Sequence, residues 1–174
     1  TRIEVWVTNR SSITENTRNI VAFSDLGEAK ASNCQGNPGS YATQELPDNQ
    51  ANGLYDWAAV QPLVRGFSNA VLALSAQVNS PGPFNQAVDY EKVENARKLN
   101  ENEFTYNALL GYVSLNTALN NDEVLAVAYE YTYRGDTYQV GEFSTDGTSG
   151  QEALILKLIK PTITNPKNKI WDLM

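Results

Sequence analysis

The sequence predicts an α+β fold that is mainly β: an antiparallel, sandwich-like sheet with two helices inserted between its second and third strands. Three observations predict it. Segments in both halves of the chain alternate apolar and polar residues with the period of a strand, and apolar residues recur at helical spacing only between about residues 54 and 100. The repeated strand-helix-strand order that builds parallel sheets is missing.

Arg2-Ile3-Glu4-Val5-Trp6-Val7-Thr8 places Ile3, Val5 and Val7 on one face and reads as a half-buried strand. After the polar run from Asn9 to Arg18, Asn19 to Leu26 reads as a second strand ended by Gly27, and the two are expected to pair antiparallel across a long connection. Residues 28–53, rich in Gly, Asn, Ser, Pro and Gln, read as loop. From Leu54 to Val78 the pattern turns helical. Leu63, Phe67, Val71 and Leu74 form the expected buried stripe, with Val78 one turn on, Pro62 in the first turn and Ser80-Pro81-Gly82-Pro83 as terminator. A second helix is expected from Asp89, as N-cap, to about Leu99, with Tyr90, Val93 and Arg97 on one stripe.

Beyond Asn100 the pattern is β again. Tyr112-Val113-Ser114-Leu115 reads as a short strand, and Val124 to Tyr133 as the clearest strand of the chain, with Leu125, Val127, Tyr129, Tyr131 and Tyr133 on one face. Arg134-Gly135-Asp136 is expected to turn it into an antiparallel hairpin with Thr137 to Phe143, glycine supplying a positive φ. Ala153 to Lys160 reads as the last strand, with Leu154, Leu156 and Leu158 on one face and Pro161 as its stop.

Composition narrows function. With 174 residues, 41% hydrophobic and 19% charged, one core is feasible, because a chain of this size buries about 70% of its unfolded surface. A net charge of −7 disfavours nucleic acid and anionic lipid, both of which are bound through Lys and Arg. Cys34, in the loop sequence Asn33 to Pro38, is the only cysteine, so an intrachain disulfide is excluded; the lack of histidine excludes His triads, His bases and His metal ligands. The chain opens at Thr1 without signal features and stops at Trp171-Asp172-Leu173-Met174. It is therefore expected to be one soluble domain, 1–174, taken from a longer protein.

Several blocks carry a family likeness: Glu4 to Arg10, Arg18 to Phe23 with Asp25 to Glu28, Asp89 to Lys92, Gly111 to Asn116, Asp122 to Tyr133 and Tyr138 to Phe143. Asn165-Pro166-Lys167 and Trp171 to Met174 close the set. Together they resemble the SprA family (called Sov in some members), the very large outer-membrane translocon proteins of type IX secretion and gliding motility. The likeness runs nearly end to end over a chain far shorter than those proteins, and the loop from Ala29 to Asn52 carries no part of it. The resemblance implies a non-enzymatic structural role in an outer-membrane pore. It implies other parts of the same large protein and other secretion-system proteins as partners, and it brings no catalytic, cofactor or metal residues.

The candidate sites read more simply as structure. Val124 to Tyr133 has the length of a membrane strand, but its tyrosines crowd one end instead of forming two girdles, so a core strand is the better reading. Trp6, Tyr129, Tyr131, Tyr133 and Tyr138 are a candidate sugar-stacking platform, which makes a secreted carbohydrate-binding or adhesive β-sandwich the alternative function. Enzyme chemistry would need a carboxylate pair such as Glu130 with Glu142 across the hairpin, of the kind used in glycoside hydrolysis, although both are expected on solvent faces. Asp122, Asp136 and Asp146 lie in turns without the spacing of a calcium loop. Arg134-Gly135-Asp136 reads as a turn rather than an adhesion motif, and Asn9-Arg10-Ser11 fits a glycosylation acceptor only by a common pattern. Neither a cofactor nor a small-molecule ligand is expected.

Overall fold

A computed structural model of the chain describes residues 2–12, 14–24, 26, 62–76, 83–133, 135–146 and 150–165, with Pro62 and Tyr133 by backbone alone. The expected loop at 28–53, with Cys34, lies outside the described residues, as do Val78, most of the Ser80 to Pro83 terminator, Arg134 and the last residues from Pro166 on.

In chain order the elements are β1 (Arg2–Val7), β2 (Thr17–Phe23), α1 (Pro62–Arg65), α2 (Ala70–Ser75), β3 (Tyr90–Lys98), β4 (Phe104–Asn107), β5 (Tyr112–Leu115), β6 (Leu125–Tyr133), β7 (Asp136–Val140) and β8 (Leu154–Lys160). The main sheet runs β1-β3-β2-β8-β6-β7, and β1 also pairs with β6. That extra pairing, Arg2 opposite Glu130 through Val7 opposite Leu125, closes five strands into a barrel. β7 continues along β6 beyond β8. All pairings are antiparallel except β2 with β8.

The mainly β class is as expected, but the sheet is a closed barrel and not a sandwich. Register shifts at Arg18/Ile20 and Leu125/Ala126 supply local bends of the kind that curl a sheet onto itself. β1 and β2 do not pair with each other, because β3 lies between them. β3 is itself a correction: the segment expected as a helix from Asp89 is a nine-residue strand. Asp89 caps no helix. It closes a turn, its carboxylate accepting the Asn85 backbone N–H at 2.8 Å.

The expected long helix is two short ones. The chain breaks at Gly66 and at Phe67, whose φ is 64°. The buried set is accordingly Val64, Phe67, Ala70 and Leu74, while Leu63 and Val71 are exposed. The hairpin of β6 and β7 forms as expected, pairing Tyr133 with Asp136 beside Gly135 at φ 95°. β4, which pattern alone does not announce, pairs with β5 as a separate two-stranded sheet.

The barrel interior holds Trp6, Ile20, Ala22, Val93, Ala96, Ala126, Ala128, Leu154, Leu156 and Leu158, with Phe143 and Val124. Four alanines facing one tryptophan reflect how little room five staves enclose; small barrels are filled by alternating small and large residues. Outside, the α1–α2 segment covers Val21, Phe23, Tyr90 and Ile155. The β4–β5 sheet covers Val5, Val7, Leu125 and Val127 through Phe104, Val113 and Leu115. The central parts of β1 and β6, Val5 to Val7 and Leu125 to Ala128, are thus buried on both faces.

Candidate functional site

Charged side chains are normally kept at the protein surface, yet Glu4, Glu91, Glu142, Glu123 and Lys157 are all buried, some inside the barrel and some against its outer face. Each has geometry that compensates the lost hydration. Glu4 shares the inward face of β1 with Trp6. Its Oε1 accepts from Ser144 Oγ at 2.8 Å and Lys98 Nζ at 3.1 Å, and its Oε2 accepts from the Ser144 backbone N–H at 2.9 Å. Burial pushes the Glu4 carboxyl up, but the bonds from Ser144 and Lys98 outweigh it, so its pKa lies below the usual carboxylate value. Beside it the Arg2 guanidinium lies 3.8 Å over the Phe143 ring and donates to Thr145 Oγ1 at 2.6 Å. These contacts fasten the segment after β7 across one mouth of the barrel.

Glu91 accepts from the Thr162 N–H at 2.7 Å and its hydroxyl at 2.5 Å, fixing the chain that leaves β8. Lys157 donates to the Ser24 carbonyl at 2.6 Å. Glu142 receives Arg65 on both oxygens, at 2.7 and 3.3 Å, and the Ile155 N–H at 2.8 Å. This joins α1 to β8.

Glu130 and Glu142 therefore do not form a carboxylate pair. Glu142 is buried against Arg65, contrary to the expected solvent face, and Glu130 sits opposite Arg2 and Gln139. The candidate aromatic platform loses Trp6, and the Tyr133 side chain lies outside the described residues. Trp6 is inside the barrel, and Tyr131 stacks on Tyr129 at 6.1 Å and on Tyr138 at 5.3 Å, so these rings turn their faces toward one another. The turn aspartates do not converge either. Asp122 is ion-paired with Arg10, Asp146 accepts the Phe143 N–H at 2.8 Å, and Asp136 lies at the β6–β7 turn. Among the described residues, no cluster of three Cys, Asp or Glu side chains could hold a metal. Asn9 folds back on Ser11, its Oδ1 accepting that residue's N–H at 2.9 Å and hydroxyl at 2.8 Å.

A surface depression of about 530 Å³ lies between the end of β1 and the segment joining β5 to β6. Its charges are matched within its own wall. Arg97 grips both oxygens of Glu103 at 2.8 Å, and Arg10 reaches Glu123 at 3.5 Å. The Asn100 backbone N–H, with Arg97, holds the Glu103 carboxyl below its usual range. A smaller cavity of about 150 Å³ adjoins Trp6, Arg18, Lys98 and Ser144.

The chain matches no known protein-family model and no curated protein. Sequence reasoning missed Glu4, Glu91 and Lys98 as organising groups. Glu4 carried one signal, a carboxylate between Ile3 and Val5, two residues before Trp6.

Proposed function

We propose that this domain is a non-enzymatic structural element of an outer-membrane protein-translocation pore of the type IX secretion and gliding-motility kind. The observation that carries the proposal is where the family-like blocks fall. Glu4 to Arg10, Arg18 to Phe23, Asp89 to Lys92, Asp122 to Tyr133 and Tyr138 to Phe143 overlap β1, β2, β3, β6 and β7. With Gly111 to Asn116 on β5, the likeness reaches four of the five barrel strands and also strands outside the barrel, as expected for a domain whose shape is its function. The buried carboxylates support the same reading, since Glu4, Glu91 and Glu142 are engaged in holding segments to the barrel wall. A carboxylate already accepting two or three hydrogen bonds in a fixed frame is poorly placed to shuttle protons.

Deleting residues 1–174 from the gene of the longer protein is expected to block export of type IX cargo. Glu130→Ala is expected to leave export intact, whereas Glu142→Ala is expected to reduce it only in proportion to lost folding. Specific glycan binding by the isolated domain, abolished by Tyr131→Ala, would overturn the proposal in favour of a carbohydrate-binding module.

A further inference from the structure

We propose that the tip of the β4–β5 hairpin is a membrane-docking finger that inserts into an electrically neutral lipid surface. Between Glu103 and Asp122 the sequence carries no Asp, Glu, Lys or Arg, although these make up 19% of the chain. The apex of that stretch is apolar and projects into solvent: Leu109 is 92% exposed and Leu110 69%. Tyr106 and Tyr112, one on each strand just behind the apex, are exposed too. An apolar apex backed by tyrosines matches the layering of a bilayer surface, where amphipathic rings sit at headgroup level above the acyl chains.

The apex backbone is already prepared to leave water. Asn107 Oδ1 accepts the N–H groups of Leu109 at 3.0 Å and Leu110 at 2.9 Å, and the Asn107 carbonyl accepts the Gly111 N–H at 2.8 Å. Unsatisfied amides are what bar irregular backbone from hydrocarbon, and these three are satisfied within the tip. Behind it Phe104, Val113 and Leu115 pack the hairpin onto Val5, Val7, Leu125 and Val127, so the finger has a fixed base. The charge of the molecule selects the lipid. A net charge of −7 and a tip without cations give anionic headgroups nothing to attract, so the contact is apolar insertion alone.

Sedimentation of the chain with phosphatidylcholine vesicles tests this. Binding is expected, and Leu109→Asp or Leu110→Asp should each lower the partition coefficient by at least about tenfold with the melting temperature unchanged. Leu109→Trp should bind with a blue-shifted emission. Adding phosphatidylglycerol should weaken binding at low salt and high salt should restore it. Absence of binding to phosphatidylcholine, equal binding by the Asp variants, or binding that requires phosphatidylglycerol would each overturn the proposal. In the first case the tip would belong to a protein pocket.

Discussion

Removing Arg65 tests whether the buried carboxylates are structural. In the folded chain the Glu142 side chain is 5% exposed and Arg65 15%, with the guanidinium spanning both carboxylate oxygens. Arg65→Met keeps most of the apolar stem but leaves a buried carboxylate that retains the Ile155 N–H and has lost its guanidinium partner. Stripping one partner from a buried pair costs about 3–5 kcal/mol. For a chain of this length that lowers the melting temperature by roughly 10 °C or somewhat more, at about 2–4 °C per kcal/mol. Glu142→Gln should cost less, about 1–3 kcal/mol, because the amide oxygen still accepts from Ile155 and the more exposed Arg65 can turn to water. Glu142→Leu should be worse than Glu142→Gln, since it orphans the Ile155 amide. The Arg65→Met/Glu142→Gln double variant should be more stable than the sum of the singles predicts, with a coupling of about 1–3 kcal/mol by urea denaturation. An Arg65→Met cost below about 1 kcal/mol, or singles that add within about 0.5 kcal/mol, would refute the reasoning.

Other perturbations follow from the same packing. Gly141→Ala should cost about 2–3 kcal/mol, because φ is 75° and the new Cβ would lie 3.2 Å from the Val127 carbonyl oxygen and 3.3 Å from Ala128; denaturant unfolding measures it. Phe67→Ala should cost about 3–5 kcal/mol and Leu63→Ala less than about 0.5 kcal/mol, whereas a continuous stripe through both residues would make both costly. Glu4 titrates below its unfolded value, so its stabilisation is complete above the usual Glu range of about 4.3. It is lost as pH falls through the lower folded value. Glu4→Gln should therefore flatten the acid side of the stability–pH profile in urea titrations across that range.

What pattern could reveal and what it hid both have physical causes. β6 and β7 were legible because Leu125 to Tyr133 alternates without interruption and a glycine turn follows. β3 was misread because it is bulged. Asn95 sits at φ 50° with its N–H bonded to Asn19 Oδ1 at 3.0 Å, opposite the register shift in β2. The inward positions then run Glu91, Val93, Ala96 and Lys98, so the strand loses the strict alternation that would announce it, and the expected stripe of Tyr90, Val93 and Arg97 joins residues of opposite faces. The stripe at 63–74 failed for the converse reason. Phe67 leaves helical conformation, which moves the buried face to Val64 and Ala70. Barrel closure was invisible, because nothing local in Arg2–Val7 says that its partner is Leu125–Glu130. The charges that organise the ends were hidden as well, since Glu4 meets Ser144 and Lys98 only once the strands have paired.

The β1–β6 seam separates the closed barrel from an open sheet or sandwich most directly, and NOE spectroscopy on the labelled chain reads it. Strong cross-strand contacts between backbone α-protons are expected at alternate pairs along Arg2–Val7 and Leu125–Glu130, with side-chain contacts from Trp6 to Ala126. A spectrum with the β6–β7 and β2–β3 contacts intact but none across that seam would contradict the account.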